Sequence, residues 1–117
     1  MSYTPRDQAY LLDILIASRK ALEFVKGLSF EEFQNSELHQ SAVIRPLEII
    51  GEAARMISDD VKAQHPEIPW GDMIGMRNRL IHEYFDISLA TIWETVHDDL
   101  PHLIQQIAPL VPVDNSK

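Results

Sequence analysis

Arg77, Asn78, Arg79 and His82 place two guanidiniums, an amide and an imidazole within six residues of this 117-residue chain. An imidazole titrates near neutral pH, so His82 can take the proton from a ribose 2′-hydroxyl or return one to a leaving oxygen. A guanidinium offers a fork of donors to a phosphate whose charge grows in the transition state, which suits Arg77, and Arg79 adds a second cation for binding RNA. Asn78 lies one turn before His82 on the same helical face, where it can orient the imidazole or hold a phosphate oxygen. The chemistry this set suits is cleavage of RNA without a metal. Taken alone, however, Arg-x4-His is a weak signal. Arg and His are favoured in any last helical turn, because they complement the unpaired carbonyls and the helix dipole.

Helix geometry constrains the site further. Five residues apart on an ideal helix, Arg77 and His82 point about 140° from one another. One straight helix brings them together poorly. Two copies of the helix packed across a two-fold axis would place one protomer's Arg77 near its partner's His82, so the spacing predicts a composite site in a homodimer.

The net charge of −8 argues against a broad duplex-binding face, which would need Lys and Arg in quantity. The distribution is more informative than the total. Between Ala63 and Ser116 the only Lys or Arg residues are Arg77 and Arg79, so an anion bound by this half of the chain binds there. No cysteine is present, which excludes disulfides, thiolate metal sites and cysteine nucleophiles. His39, His65, His97 and His102 show no metal-ligand spacing, and His97-Asp98-Asp99 reads as a solvated helix face; no metal and no cofactor are expected. The N-terminus does not read as a signal peptide, and no apolar run reaches the roughly 20 residues of a membrane span. A cytoplasmic protein without membrane contact is expected.

The elements that must position these groups read as helical almost throughout. Thr4-Pro5-Arg6-Asp7 opens a first helix with an N-cap, a first-turn proline and an acidic third position, and Tyr10, Leu11, Ile14, Leu15, Ser18, Leu22 and Val25 form its inner stripe. Gly27 stops it, and Ser29-Phe30-Glu31-Glu32 is a capping box for a short helix holding Phe33. A long helix is predicted over 37–57 on Val43, Leu47, Ile50, Ala54 and Ile57, bent at Pro46, with Gly51 admitting a close neighbour. Ser58 caps a short turn closed by His65-Pro66. Pro66 to Trp70 then leads into the helix of Met73, Met76, Leu80 and Ile81, which carries the Arg77–His82 cluster and frays near Glu83 to Phe85. Asp86 or Ser88 caps a last helix on Leu89, Ile92, Trp93, Val96, Leu100, Leu103, Ile104 and Ile107, kinked at Pro101. The expected fold is all-α: a bundle of four main helices plus short helical turns and no sheet, spanning 1–108, with 109–117 as a C-terminal tail. Arg45, Glu48, Glu52 and Arg55 share one stripe. They read as ion pairs along the helix, ahead of the alternative that their carboxylates orient Arg77 or His82. Trp70 and Trp93 read as packing anchors.

At whole-chain scale the sequence resembles the HepT-like toxins, the HEPN half of HEPN–MNT toxin–antitoxin modules. The resemblance rests on ordered blocks: Gln40 to Arg45, Leu47 to Ala53, Pro66 to Trp70, Gly75 to His82 with Tyr84, Trp93 to Val96, and Leu100 to Leu103. It covers residues 7 to 108 and departs from the usual pattern at Pro46. It implies a HEPN-like helical bundle and a metal-independent endoribonuclease. Arg77 and His82 would be the catalytic pair at a dimer interface, and Asn78 would fill the polar position after the arginine. It also implies a partner, an MNT-type nucleotidyltransferase antitoxin that inactivates the toxin by attaching AMP to the motif tyrosine, here Tyr84. A phenol two residues past His82 is reachable by another enzyme, and a bulky anion there would repel phosphate. Glu83, between them, can pair with Arg79. The rival reading is a non-catalytic binding subunit of a nucleotidyltransferase complex; a purely structural dimer would tolerate changes at both Arg77 and His82.

Overall fold

In the computed structural model, which describes residues 3–82 and 87–112, the expected start signals sit at the starts of helices. α1 (Pro5–Phe24) begins behind Thr4, whose hydroxyl accepts from the Asp7 N–H. α2 (Phe30–Gln34) carries the reciprocal Ser29–Glu32 capping box and buries Phe33 completely. α3 (Glu37–Met56) is capped by Ser36, and α4 (Asp59–Gln64) by Ser58. α5 (Trp70–His82) holds the Arg77–His82 cluster, and α6 (Leu89–Glu94) is capped by Ser88. Gly27, at φ +82°, takes the left-handed conformation that ends the α1 segment. No strand occurs among the described residues, and the bundle is all-helical as expected. No helix among them is long and apolar enough to cross a membrane.

Both internal prolines are accommodated differently. Pro46 is buried, and α3 runs on through it as one helix. At the C-terminal end, a widened π turn (Thr95–Asp99) separates α6 from α7 (Leu100–Ile107), with the Leu100 N–H donating back to the Thr95 carbonyl. Pro101 supplies the reason: it has no N–H for the carbonyl four residues earlier, and its ring crowds that carbonyl.

α1 packs along α3, α3 packs on α5, and α7 closes against α1. Leu11, Ile14 and Leu15 meet Val43, Leu47, Ile50 and Ala54, with Val96, Leu103 and Ile107 completing one continuous core. Trp93 packs on Phe33 and Phe30, and Trp70 is buried with its indole N–H bonded to the His65 carbonyl. Leu110 and Val111 lie partly buried against the core.

Asp7 does more than cap. Its buried carboxylate reaches across to α4, accepting from the Ser58 N–H at 2.9 Å and the Ser58 hydroxyl at 2.8 Å. Burial opposes its ionisation, but the hydrogen bonds from Ser58 and Thr4 and the charge of Arg6 outweigh it and hold the carboxyl below its ordinary range. Nearby, the Tyr3 hydroxyl and His65 Nε2 are 2.7 Å apart, which ties the N-terminal segment to the end of α4.

Candidate active site

The site is built where α5 crosses α3, and a glycine sets the distance. A methyl group on Gly51 would overlap Arg77 Cβ and lie 2.6 Å from the Met73 carbonyl oxygen. Only a residue without Cβ lets the two backbones approach this closely. Met73 and Leu80 bury the inner face of α5, and Arg77, between them, emerges at the edge of the contact with its side chain 25% exposed.

At that edge Arg77 is held on two sides. Its Nε lies 3.2 Å from Glu52 Oε1 in an ion pair, and its Nη1 donates to Asn78 Oδ1 at 3.0 Å. Glu52 is shared: Arg55, one turn further along α3, places Nη2 at 2.9 Å from Oε2 and Nε at 3.4 Å from Oε1. The Arg55 hydrogen bond, against a smaller desolvation cost, and then the charges of Arg55 and Arg77 hold the Glu52 carboxyl below its usual range. Glu52 is therefore an anion throughout the neutral range.

Arg77 and Asn78 are thus brought together, and the Asn78 carbonyl is engaged with the arginine. His82 sits at the last position of α5 with an exposed side chain, beside Ile81, which is 45% exposed. Arg79 points elsewhere. It lines a groove of about 490 Å³ between α3, α5 and α7, with Asp72, Asp99, Met73, Met76 and His102. Partial desolvation, then Asp98 and Asp72, raise the Asp99 carboxyl above its ordinary value there. Tyr84, the expected modification site, lies outside the described residues, as do Glu83 and Asp86. Among the described residues no group of three or more His, Asp or Glu side chains could hold a metal ion.

Glu52 and Arg55 are the residues that sequence reasoning undervalued. The stripe of alternating charge on α3 does form ion pairs along the helix, with Arg45 3.6 Å from Glu48 and Arg55 on Glu52. Glu52 also makes the cross-helix ion pair with Arg77. The signal was Gly51: a glycine that admits a neighbouring helix puts the next residue's side chain beside that neighbour.

An all-helical bundle with an Arg-x4-His cluster at the exposed end of α5 is consistent with a HEPN-like bundle. The family profile described as ribonuclease HepT-like matches residues 14–110, and the chain belongs to that HepT-like ribonuclease family. It is 48% identical over 94 residues to the "Probable ribonuclease HepT" of Thermococcus cleftensis, covering 80% of this chain and 86% of that one. It is 42% identical over 100 residues to a "Putative RNase" of Methanocaldococcus jannaschii, covering 86% and 92%. A "Putative RNase" of Caldanaerobacter subterraneus subsp. tengcongensis is 40% identical over 108 residues, covering 92% and 95%. No solved structure matches the chain.

Proposed function

We propose that this ribonuclease-family chain is the toxin of a toxin–antitoxin pair, a metal-independent endoribonuclease that acts as a homodimer on single-stranded or looped RNA in the cytoplasm. The observation that carries the reading is the state of Arg77. Among the described residues its partners are Glu52 and Asn78, and the side chain remains open to solvent on its outer edge, fixed but available to an anion.

His82 removes the 2′-hydroxyl proton, and that oxygen attacks the adjacent phosphorus. The 5′-oxygen leaves with a proton returned through water from the His82 imidazolium, giving a 2′,3′-cyclic phosphate, a free 5′-hydroxyl and a neutral His82. Arg77, seconded by Asn78, stabilises the charge on the phosphoryl oxygens in the transition state, and Arg79 contributes binding. His82 and Arg77 act across the two-fold axis, since about 140° separates them on one helix. Exposed Ile81 beside His82 supplies apolar surface for the contact between copies. An MNT-type nucleotidyltransferase neutralises the toxin: the Tyr84 phenol oxygen attacks the α-phosphorus of ATP, pyrophosphate leaves, and the AMP-bearing tyrosine excludes RNA.

The test uses mixed protomers. Arg77→Ala and His82→Ala homodimers should each lose RNA cleavage. When the two are mixed and re-equilibrated, a fraction of dimers holds one intact Arg77–His82 pair, and activity should return in part. Absence of recovery in demonstrated heterodimers refutes the shared site, and an active His82→Ala homodimer refutes the mechanism.

A further inference from the structure

Resting on the ribonuclease reading above, we propose that Glu52 is a positioning residue for the reaction, orienting the Arg77 guanidinium for the scissile phosphate while Arg55 offsets its charge.

The geometry begins with counting donors. A guanidinium has five N–H groups. One Nη1–H is donated to Asn78, and the Nε edge is held 3.2 Å from Glu52 Oε1 by the ion pair, which leaves the other N–H groups of the terminal nitrogens for an anion. A long, flexible side chain is thereby restricted at two points of its planar end group. Its free donors keep one direction instead of sampling many, so less freedom is lost when phosphate binds.

A carboxylate beside a phosphate-binding arginine would ordinarily weaken it by competing for its charge. Here the competition is reduced, because Arg55 engages Glu52 through two nitrogens while Arg77 engages it through one. The cluster of two guanidiniums and one carboxylate is net positive. Arg55 is half-exposed on the same edge, at 51% of its side-chain surface, so an approaching phosphate meets two cations flanking the carboxylate. Gly51 completes the arrangement, since the close crossing it permits brings the Glu52 carboxylate within reach of Arg77 Nε.

A plain staple between α3 and α5 would predict different behaviour, and four variants separate the two: Glu52→Ala, Glu52→Gln, Arg77→Ala and the Glu52→Ala/Arg77→Ala double. Cleavage of a single-stranded RNA is followed under kcat and KM conditions, with thermal unfolding of each variant. Glu52→Ala should lower kcat about 10- to 100-fold while KM changes less than about threefold, the pattern of a misplaced transition-state group. Glu52→Gln should lose nearly as much as Glu52→Ala, because the contact with Nε is an ion pair that a neutral amide does not make. The double variant should be no worse than Arg77→Ala alone. An unchanged or faster kcat with a lower KM in Glu52→Ala would overturn the proposal, since Glu52 would then only mask Arg77. A further loss on the Arg77→Ala background would overturn it too.

The Arg77 Nε–H resonance of the full-length protein gives a readout independent of cleavage. Its relaxation should report a rigid side chain in the wild type and a mobile one in Glu52→Gln and Glu52→Ala, which lack the carboxylate that holds Nε. Wild-type protein that cleaves no RNA would end the ribonuclease reading, and the resonance would still decide the positioning. The same rigidity in Glu52→Ala as in wild type would end the positioning.

Discussion

Gly51→Ala tests the crossing on which the site depends. On helix propensity alone the change should stabilise α3, by about 1 kcal/mol in a helix interior. The packing predicts the reverse. The added methyl would overlap Arg77 Cβ and sit 2.6 Å from the Met73 carbonyl, where ordinary contact begins near 3.4 Å. Restoring that contact requires α5 to move by at least about 0.8 Å, and by more to clear Arg77 Cβ; the obstacles are backbone and a Cβ rather than the end of a flexible side chain. Overpacking of this kind costs about 1–3 kcal/mol. Set against the propensity gain, the net loss is up to about 2 kcal/mol, or a fall in Tm of up to roughly 8 °C for a domain of this size. A displacement of Arg77 approaching 1 Å should also lower RNA cleavage by up to about 100-fold. Circular-dichroism melting and a single-turnover cleavage assay read the two effects. Gly71→Ala, on α5 with open space around its Cβ position, serves as the control and should leave Tm unchanged or slightly higher. A Gly51→Ala protein that melts at or above the wild-type temperature and cleaves normally would refute the close crossing.

Three further outcomes are expected. Asp7→Ala should cost about 1–3 kcal/mol by leaving two Ser58 donors without their buried acceptor, measured by urea unfolding at pH 7. Because the folded Asp7 carboxyl lies below its unfolded value near 3.8, its contribution is complete above that pH and is lost as pH falls through the lowered folded value. The acid limb of the stability profile should therefore flatten in Asp7→Asn, and an unaltered limb would remove Asp7 as its source. Specific activity should fall on dilution as the dimer dissociates, with sedimentation tracking the same midpoint; constant activity in demonstrably monomeric protein would contradict the shared site. Intact mass after incubation with the nucleotidyltransferase partner and ATP should rise by whole AMP increments, and Tyr84→Phe should abolish the rise.

Much of this protein was legible in one dimension because the information is local. Thr4, Ser29, Ser58 and Ser88 each cap a helix through a hydroxyl and an amide only three residues away. The buried stripes follow the 3.6-residue period directly, and the ordered blocks around Arg77 and His82 carry the family. Cross-helix partnerships were not legible, because side-chain types do not specify which helix they will face. Asp7 read as a first-turn acid, but the fold brings the turn at Ser58 onto it and makes it a buried acceptor. Glu52 and Arg55 read as an ordinary pair along α3. Only the α3–α5 crossing, set by the absent Cβ of Gly51, turned Glu52 into a partner of Arg77 and directed Arg79 away, into the groove shared with α7. Sequence by itself determined which groups are present to do the chemistry and on which helix they stand. Tertiary structure decided what holds them, because helix separation depends on which residues fill or vacate the space between elements.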